Sequence, residues 1–182
     1  MQVQSPDTSS LLDKARGGDC DAFGEICRQQ EGRLLRQAMT LCGNAALAEE
    51  LAQDTMVEAW KCLRRYNGRC QFFTWLCAIL LNRLRNTLRE RRPLAPADEA
   101  AREATPDEGD TPDQMLWQGE QAALVRKCIA ALPAKHRQVI VLRFYVDDSL
   151  PEIAAALGCS VGTVKSRLFH ALEKLRRMNL NV

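Results

Sequence analysis

The chain has 182 residues, of which 46% are hydrophobic and only 5% aromatic, and its net charge is +2. A composition rich in alanine, leucine, arginine and glutamate favours an all-α protein with one large or two small domains. No apolar run approaches the ~18 residues that span a bilayer, and the first residues lack the basic start and apolar core of a signal peptide, so a cytoplasmic protein without membrane contact is expected.

The small net charge hides three blocks of alternating sign. Residues 61–92 contain nine basic residues and one acidic residue, residues 93–120 contain eight acidic and one basic, and residues 160–182 contain five basic and one acidic. A uniformly solvated surface would not sort its charges in this way.

The first part of the chain predicts four helices. A short helix over residues 9–16 ends at two glycines, and Asp19 caps a second helix. Asn44 caps "AALAEELAQDTMVEAWKCL", and "FTWLCAILLNRLRNTLRERR" reads as a fourth helix with a broad apolar surface. The third helix has a stripe at helical spacing that is expected to be buried: Leu47, Leu51, Thr55, Ala59 and Leu63.

The stretch "PLAPADEAAREATPDEGDTP" separates this part from the rest. It contains four of the seven prolines, is acidic, and offers Leu94 as its one large apolar residue. Such a segment buries too little surface to offset its ordering entropy, which predicts a flexible acidic linker. The predicted organisation is therefore two small helical domains, 8–92 and 114–182, joined by a flexible linker over 93–113.

The second domain predicts a helix over 114–132, another over about 134–145, and a helix pair in "SLPEIAAALGCSVGTVKSRLFHALEKLRR". Ser149 and Glu152 form a capping box, and Gly158 suits the left-handed residue that ends a helix. Ser160 caps the last helix, whose Val161 and Val164 are expected to pack on the first. This pattern is that of a helix-turn-helix.

The outward face of the last helix carries residues suited to DNA. Lys165 can donate to guanine, and a threonine or phenylalanine side chain can contact a thymine methyl group. The alternative is a bundle corner with a solvated basic face, and DNA recognition is the favoured interpretation. The predicted outward residues are Thr163, Lys165, Ser166, Arg167, Phe169 and His170.

A second nucleic-acid surface is predicted in the first domain. Asn82, Arg85, Arg89 and Arg92 form a stripe on the fourth helix, beside a loop with Tyr66, Asn67 and Phe72. Phosphate contacts beside flat and polar groups suit an unstacked single strand. The alternative for Phe72, Phe73 and Trp75 is core packing, which is preferred for Trp75.

Together these stretches resemble the extracytoplasmic-function (ECF) group of bacterial RNA polymerase sigma factors. The motifs "AEELAQDTMVEAW", "FFTWLCAILLNRLRN", "ALPAKHRQVIVLRF" and "EIAAALGCSVGTVKSRLFHALEKLR" stand in the family's order. The resemblance implies a region 2 domain that binds core polymerase and melts the −10 element, and a region 4 domain that reads the −35 element. It also implies that the linker threads toward the active-site and RNA-exit channels.

The resemblance assigns partners and site residues. The implied partners are core RNA polymerase, through its β′ clamp helices and β flap, promoter DNA and an anti-sigma factor. His170 and Ser160 depart from the arginine and proline common in relatives. Polymerase binding is expected of Glu50, Gln53, Asp54, Val57 and Lys61, which share one helix face. The −10 contacts are expected of Tyr66, Asn67, Arg69, Phe72, Asn82, Arg85 and Arg89. The −35 contacts are expected of Ser160, Gly162, Thr163, Lys165, Ser166, Arg167, Phe169 and His170.

Two other classes of function are alternatives. An enzyme is disfavoured because the chain shows no metalloprotease, P-loop, dinucleotide-binding or nucleophile-elbow motif, so no catalytic residue, cofactor or metal is predicted. A helix-turn-helix regulator that acts without being a polymerase subunit is the closer alternative. The eight cysteines are expected to be reduced thiols, with a composite zinc or redox site as the minor reading. Cys70, in the base-capture loop, is a candidate redox position.

Overall fold

The computed structural model describes residues 6–90 and 115–178, with side chains over 8–90 and 123–178. Within these ranges the chain is all-α, as predicted. The first range forms α1 (Pro6–Arg16), α2 (Cys20–Cys42), α3 (Ala45–Cys62), a 3₁₀ turn (Leu63–Arg65) and α4 (Phe72–Glu90). The second range forms α5 (Met115–Ala131), α6 (Ala134–Phe144), α7 (Leu150–Leu157) and α8 (Val161–Arg177). The predicted linker over 93–113 lies outside the described residues.

Local signals in the sequence set most helix ends in the first half. Asp19 Oδ1 accepts a hydrogen bond from the Ala22 backbone at 2.9 Å, and Asn44 Oδ1 accepts one from Leu47 at 2.9 Å. Gly43 ends α2 in the left-handed conformation at φ 69°. Helices α2, α3 and α4 together enclose an apolar core. The stripe predicted for α3 is buried in this core at all five positions.

The second half ends in the predicted helix-turn-helix. Ser149 and Glu152 form a complete capping box at the start of α7, and Gly158 ends that helix at φ 62°. Ile153 of α7 and Val164 of α8 are fully buried, so the two helices share an apolar seam. Val161, in the first turn of α8, is instead 36% exposed and lies outside the apolar cluster. Ala171 takes a buried position that the sequence analysis did not name.

The two halves also pack against each other. α4 contacts both α6 and α7, and α2 contacts α5. The buried side chains of both halves form one continuous apolar cluster, to which Leu76 and Leu80 of α4 and Val139 and Leu142 of α6 belong. No helix among the described residues is long and apolar enough to cross a bilayer.

Candidate nucleic-acid and polymerase interfaces

The first turns of α8 present a polar face to solvent. Ser160 caps the helix, since its Oγ accepts a hydrogen bond from the Thr163 backbone at 3.1 Å. Lys165 and Ser166 are exposed, and Phe169 has 66% of its surface exposed. Because Val164 points into the core, this face lies opposite the packed seam. Among the remaining predicted −35 residues, Ser160, Gly162 and His170 are exposed. Thr163 and Arg167 are half-buried.

His170 is part of a small cluster at the edge of this face. Its ring centroid lies 6.4 Å from that of His136 on α6 and 5.4 Å from that of Phe169. Burial lowers the pKa of His136, and the positive charge of Lys174 lowers it further. His136 therefore lies beside the predicted recognition face. The sequence does not indicate this position, because a residue 34 positions earlier shares no periodicity with α8.

The predicted basic stripe lies along α4. Asn82, Arg85 and Arg89 are all exposed, at a spacing that keeps them on one side of the helix. Arg92 lies outside the described residues. The exposed stripe can contact a phosphate backbone, and Asn82 adds an amide able to hydrogen-bond to a base edge.

The loop before α4 differs from the expectation. Tyr66 and Phe72 are buried, at 4% and 1% exposure, so their rings are not surface groups on which a base could stack. The two rings pack edge to face with centroids 5.3 Å apart, and both also contact Trp75. The Tyr66 hydroxyl donates to the Cys70 carbonyl at 2.6 Å, which ties the two ends of the loop together.

The middle of this loop is exposed. Asn67 and Arg69 face solvent, and Asn67 Oδ1 accepts a hydrogen bond from the Arg69 backbone at 3.1 Å. Gly68 between them adopts a left-handed conformation at φ 73°, which glycine adopts without strain. The tip of the loop therefore presents polar groups to solvent. The buried aromatic rings hold the two ends of the loop against the protein core.

The residues predicted to bind polymerase lie along one side of α3. Glu50, Gln53 and Lys61 are exposed, and Val57 has 54% of its surface exposed. Asp54 is half-buried because its carboxylate accepts a hydrogen bond from Arg83 of α4. The same hydrogen bond raises the pKa of Arg83. An exposed apolar residue among polar groups, on a helix fixed by a cross-helix ion pair, suits a protein-docking surface.

Two hydrogen bonds join the halves of the molecule at α4. Gln138 Nε2 of α6 donates to Asn82 Oδ1 at 3.0 Å. Thr74 Oγ1 donates to Asp148 Oδ1, just before α7, at 2.7 Å, and both side chains are buried. Neither contact can be predicted from the sequence, because pairs separated by 56 and 74 residues leave no local signal.

The cysteines do not form a metal site in the described part of the chain, where no cluster of three or more potential ligands occurs. Cys70 and Cys77 are both buried. Burial raises the pKa of the Cys70 thiol to about 11 and also raises that of Cys77, with the negative charge of Asp148 contributing to both. Because the thiolate is the reactive form, neither thiol is poised for redox chemistry in this conformation.

Comparison with known proteins identifies the family of this chain. Residues 27–93 match the family model described as Sigma-70 region 2, and residues 128–177 match that described as Sigma-70, region 4. The RNA polymerase sigma-H factor of Pseudomonas aeruginosa is 31% identical over 184 residues, which cover 96% of this chain and 94% of that protein. The chain belongs to the ECF sigma factors. It therefore binds core RNA polymerase and directs promoter-specific initiation of transcription.

Other relatives agree with this assignment. The ECF RNA polymerase sigma factor SigW of Bacillus subtilis is 29% identical, over 91% of this sigma factor and 93% of SigW. The solved structure of CnrH in complex with the cytosolic domain of CnrY matches with a TM-score of 0.64 and 28% identity, covering 94% of this chain and 96% of that one. The match extends over both halves of the molecule, so the resemblance inferred from the motifs is confirmed.

Proposed function

We propose that three surfaces of this sigma factor each have a separate role in transcription initiation. The α3 face around Gln53 and Val57 docks on the β′ clamp helices of core polymerase, and the second half contacts the β flap. The α4 stripe and the exposed loop tip hold the melted −10 strand. The first turns of α8 read the −35 element in the major groove. The units that carry these surfaces are assigned to residues 8–92 and 114–182, with 93–113 between them.

The observation that carries this proposal is the face of α8. Lys165, Ser166 and Phe169 are exposed opposite the buried Val164, on a helix held rigidly by a capped helix-turn-helix. Rigid placement matters because direct readout of a base edge needs donors and apolar groups at fixed positions in the groove. The −10 surface is assigned to Asn67, Arg69, Asn82, Arg85 and Arg89, with Tyr66 and Phe72 as the buried anchors of the loop.

We also propose an anti-sigma factor as a partner. The related CnrH was solved with the cytosolic domain of a second protein bound. Because polymerase and DNA are its partners, this sigma factor is assigned to the cytoplasm, and no catalytic role of its own is proposed.

The test is run-off transcription with purified core polymerase on the DNA upstream of the chain's own gene. A transcript that appears only when the sigma factor is added is the expected result. A helix-turn-helix regulator acting alone would bind the DNA but form no stoichiometric complex with core polymerase. Failure to co-purify with core polymerase would therefore contradict the proposal in favour of that alternative.

A further inference from the structure

The end of α1 contacts the loop before α4, residues 66–71, which carries part of the proposed −10 surface. Arg16 is the last residue of α1, and it precedes residues 27–93, which match the region 2 family model. Its Nη2 donates a hydrogen bond to the Tyr66 carbonyl, 50 residues further along the chain. The same guanidinium lies over the Tyr66 ring, with Cζ 5.3 Å from the ring centroid. One side chain of α1 therefore makes two contacts with the first residue of the loop.

Arg16 is itself held in place by its own helix. Leu12 and Ala15 are each 3% exposed, and α1 packs against α2 and the 3₁₀ turn. Nη1 of Arg16 lies 3.4 Å from Asp13 Oδ1, so the two terminal nitrogens of the guanidinium have different partners. Only 33% of the Arg16 side chain is exposed. A half-buried guanidinium with a partner at each nitrogen has little rotational freedom, because its planar fork fixes both donors at once.

The Tyr66 carbonyl lies where the chain leaves the core. Tyr66 is 4% exposed, whereas Asn67 faces solvent. Because a peptide group is planar, the Tyr66 carbonyl oxygen lies in one plane with the nitrogen and Cα of Asn67. A hydrogen bond that fixes this oxygen therefore fixes the direction in which Asn67 leaves the core. The Tyr66 hydroxyl donates to the Cys70 carbonyl at 2.6 Å, so Tyr66 links the other end of the loop to the same anchor.

We propose that Arg16 is a positioning residue for the −10 surface: it holds the loop before α4 in the conformation that receives an unstacked promoter base. The inference rests on the proposed function, because it takes Asn67 and Arg69 as part of that surface. Capture of a base costs less conformational entropy when the receiving loop is already ordered. Loss of Arg16 therefore weakens capture of the base and leaves the phosphate contacts of Arg85 and Arg89 on α4 unchanged.

The geometry requires an arginine and not merely a positive charge. Arginine donates from two nitrogens of a rigid fork and lays a flat face on an aromatic ring, whereas lysine ends in a single ammonium group. The alternative role for a basic residue at this place is a contact with a DNA phosphate, which lysine also makes. Arg16→Lys therefore separates the two roles, since it keeps the charge and loses the fork and the stacked face.

The test measures how strongly the polymerase holoenzyme binds forked promoter DNA with and without individual bases. Core polymerase is combined with wild type, Arg16→Lys or Lys14→Ala, and the fork presents the −10 segment as a single strand. One base of that segment is removed at a time while the phosphate backbone is kept. The ratio of the affinity for the intact fork to that for the abasic fork then reports base capture alone. Lys14→Ala is the matched control, because Lys14 is an exposed cation in the same last turn of α1.

The variants are expected to differ in this ratio. Wild type and Lys14→Ala should both lose about tenfold in affinity when the captured base is removed, the effect of losing the contacts of one base. Arg16→Lys should bind the intact fork about tenfold more weakly than wild type does, the effect of losing a hydrogen bond from a charged group. It should bind the abasic fork as wild type does, so that its ratio approaches one.

Hydrogen–deuterium exchange of the free protein, followed by mass spectrometry of peptides, gives a second measurement that needs no polymerase. In Arg16→Lys the peptide covering residues 66–71 should exchange faster than in wild type. A peptide within α4 should exchange at the wild-type rate, which also shows that the variant is folded. Unchanged exchange over residues 66–71 would overturn the inference.

The binding experiment can also contradict the inference. A wild-type ratio in Arg16→Lys would overturn it, whether the affinity is retained or falls equally on both forks, and an equal fall would indicate a phosphate contact. A wild type that supports transcription but is insensitive to the removal of every base would overturn it as well. If wild type formed no complex with core polymerase, the proposed function would be wrong, and the exchange comparison would still decide whether Arg16 orders the loop.

Discussion

As the pH falls, proton uptake by Asp148 should favour the closed form, in which α4 contacts α6 and α7, over an open form in which the two halves separate. Burial raises the pKa of this carboxyl from its ordinary value of 3.8 to about 6 in the closed form, and the negative charges of Glu152 and Asp147 add to the effect. The hydrogen bond from Thr74 and the positive charge of Arg33 act in the opposite direction. In the open form the carboxyl faces water and its pKa returns toward the ordinary value.

The sign follows from linkage between protonation and closure. A raised pKa in the closed form means that the ionised acid disfavours closure above pH ~6, and that this penalty decreases progressively as the pH falls from about 6 toward 3.8. With pKa values of about 6 closed and about 3.8 open, the closed-to-open ratio rises about tenfold between pH 7.5 and pH 5. A tenfold change in this ratio corresponds to about 1.4 kcal/mol.

The other charged and titratable groups around Asp148 do not change the direction of this pH dependence. Arg33 of α2 and Arg143 of α6 keep their charge across this range, because arginine is always protonated near neutral pH. The neighbouring thiols stay protonated, since burial raises the pKa of both. The groups facing Asp148 from the packed elements are Arg33, Cys70, Cys77, Arg143, Asp147 and Glu152.

The assay is the radius of gyration of the Thr74→Val variant, which lacks the hydrogen bond to Asp148 and so favours the open form, measured from pH 7.5 to pH 5. Compaction that begins as the pH falls below about 6 is expected, and Thr74→Val combined with Asp148→Asn should show none of it. The quantity to compare is the difference between the two proteins, because it isolates the contribution of the side chain at position 148. Equal compaction in both would refute the reasoning and assign the effect to other groups.

Three further predictions concern the proposed surfaces and the thiols. Lys165→Ala should cost about 1–3 kcal/mol at one position of the −35 element and relax specificity there, measured by run-off transcription on single-base promoter variants; an equal loss on every variant would exclude base reading. Arg89→Ala should weaken binding to all promoter sequences and lower the slope of log affinity against log salt by about one, and an unchanged slope would exclude a phosphate contact. Cys70 should be alkylated by iodoacetamide much more slowly than the exposed Cys20 at pH 7.5, as followed by mass spectrometry of peptides, and equal rates would contradict its burial.

Features that depend on near neighbours could be predicted from the sequence. The caps at Asp19, Asn44 and Ser149 each involve a partner three residues away, so the sequence states both members of the interaction. The buried stripe of α3 could be predicted for the same reason, since helical spacing alone puts its residues on one face. The helix-turn-helix and the exposed face of α8 follow from these local rules.

The loop before α4 could not be predicted in the same way. An aromatic residue in a loop can face solvent or the core, and the choice depends on cavities that distant helices create. Phe72 is buried because Tyr66 and Trp75 supply a ring cluster for it. The sequence analysis assigned Phe72 to the DNA surface from its position beside a basic stripe, but position along the chain does not determine burial.

The same limit applies to the buried surface of α4. Helical spacing separates the exposed stripe of Asn82, Arg85 and Arg89 from the buried positions, but it does not say which half of the molecule covers those positions. Thr74 shows that part of this buried surface faces the second half. A surface that is buried only while two parts of a chain are in contact has the same composition as a permanent core. Only the observed pairing of Thr74 with an incompletely satisfied acid distinguishes them, because a permanent core rarely leaves a carboxylate oxygen without a partner.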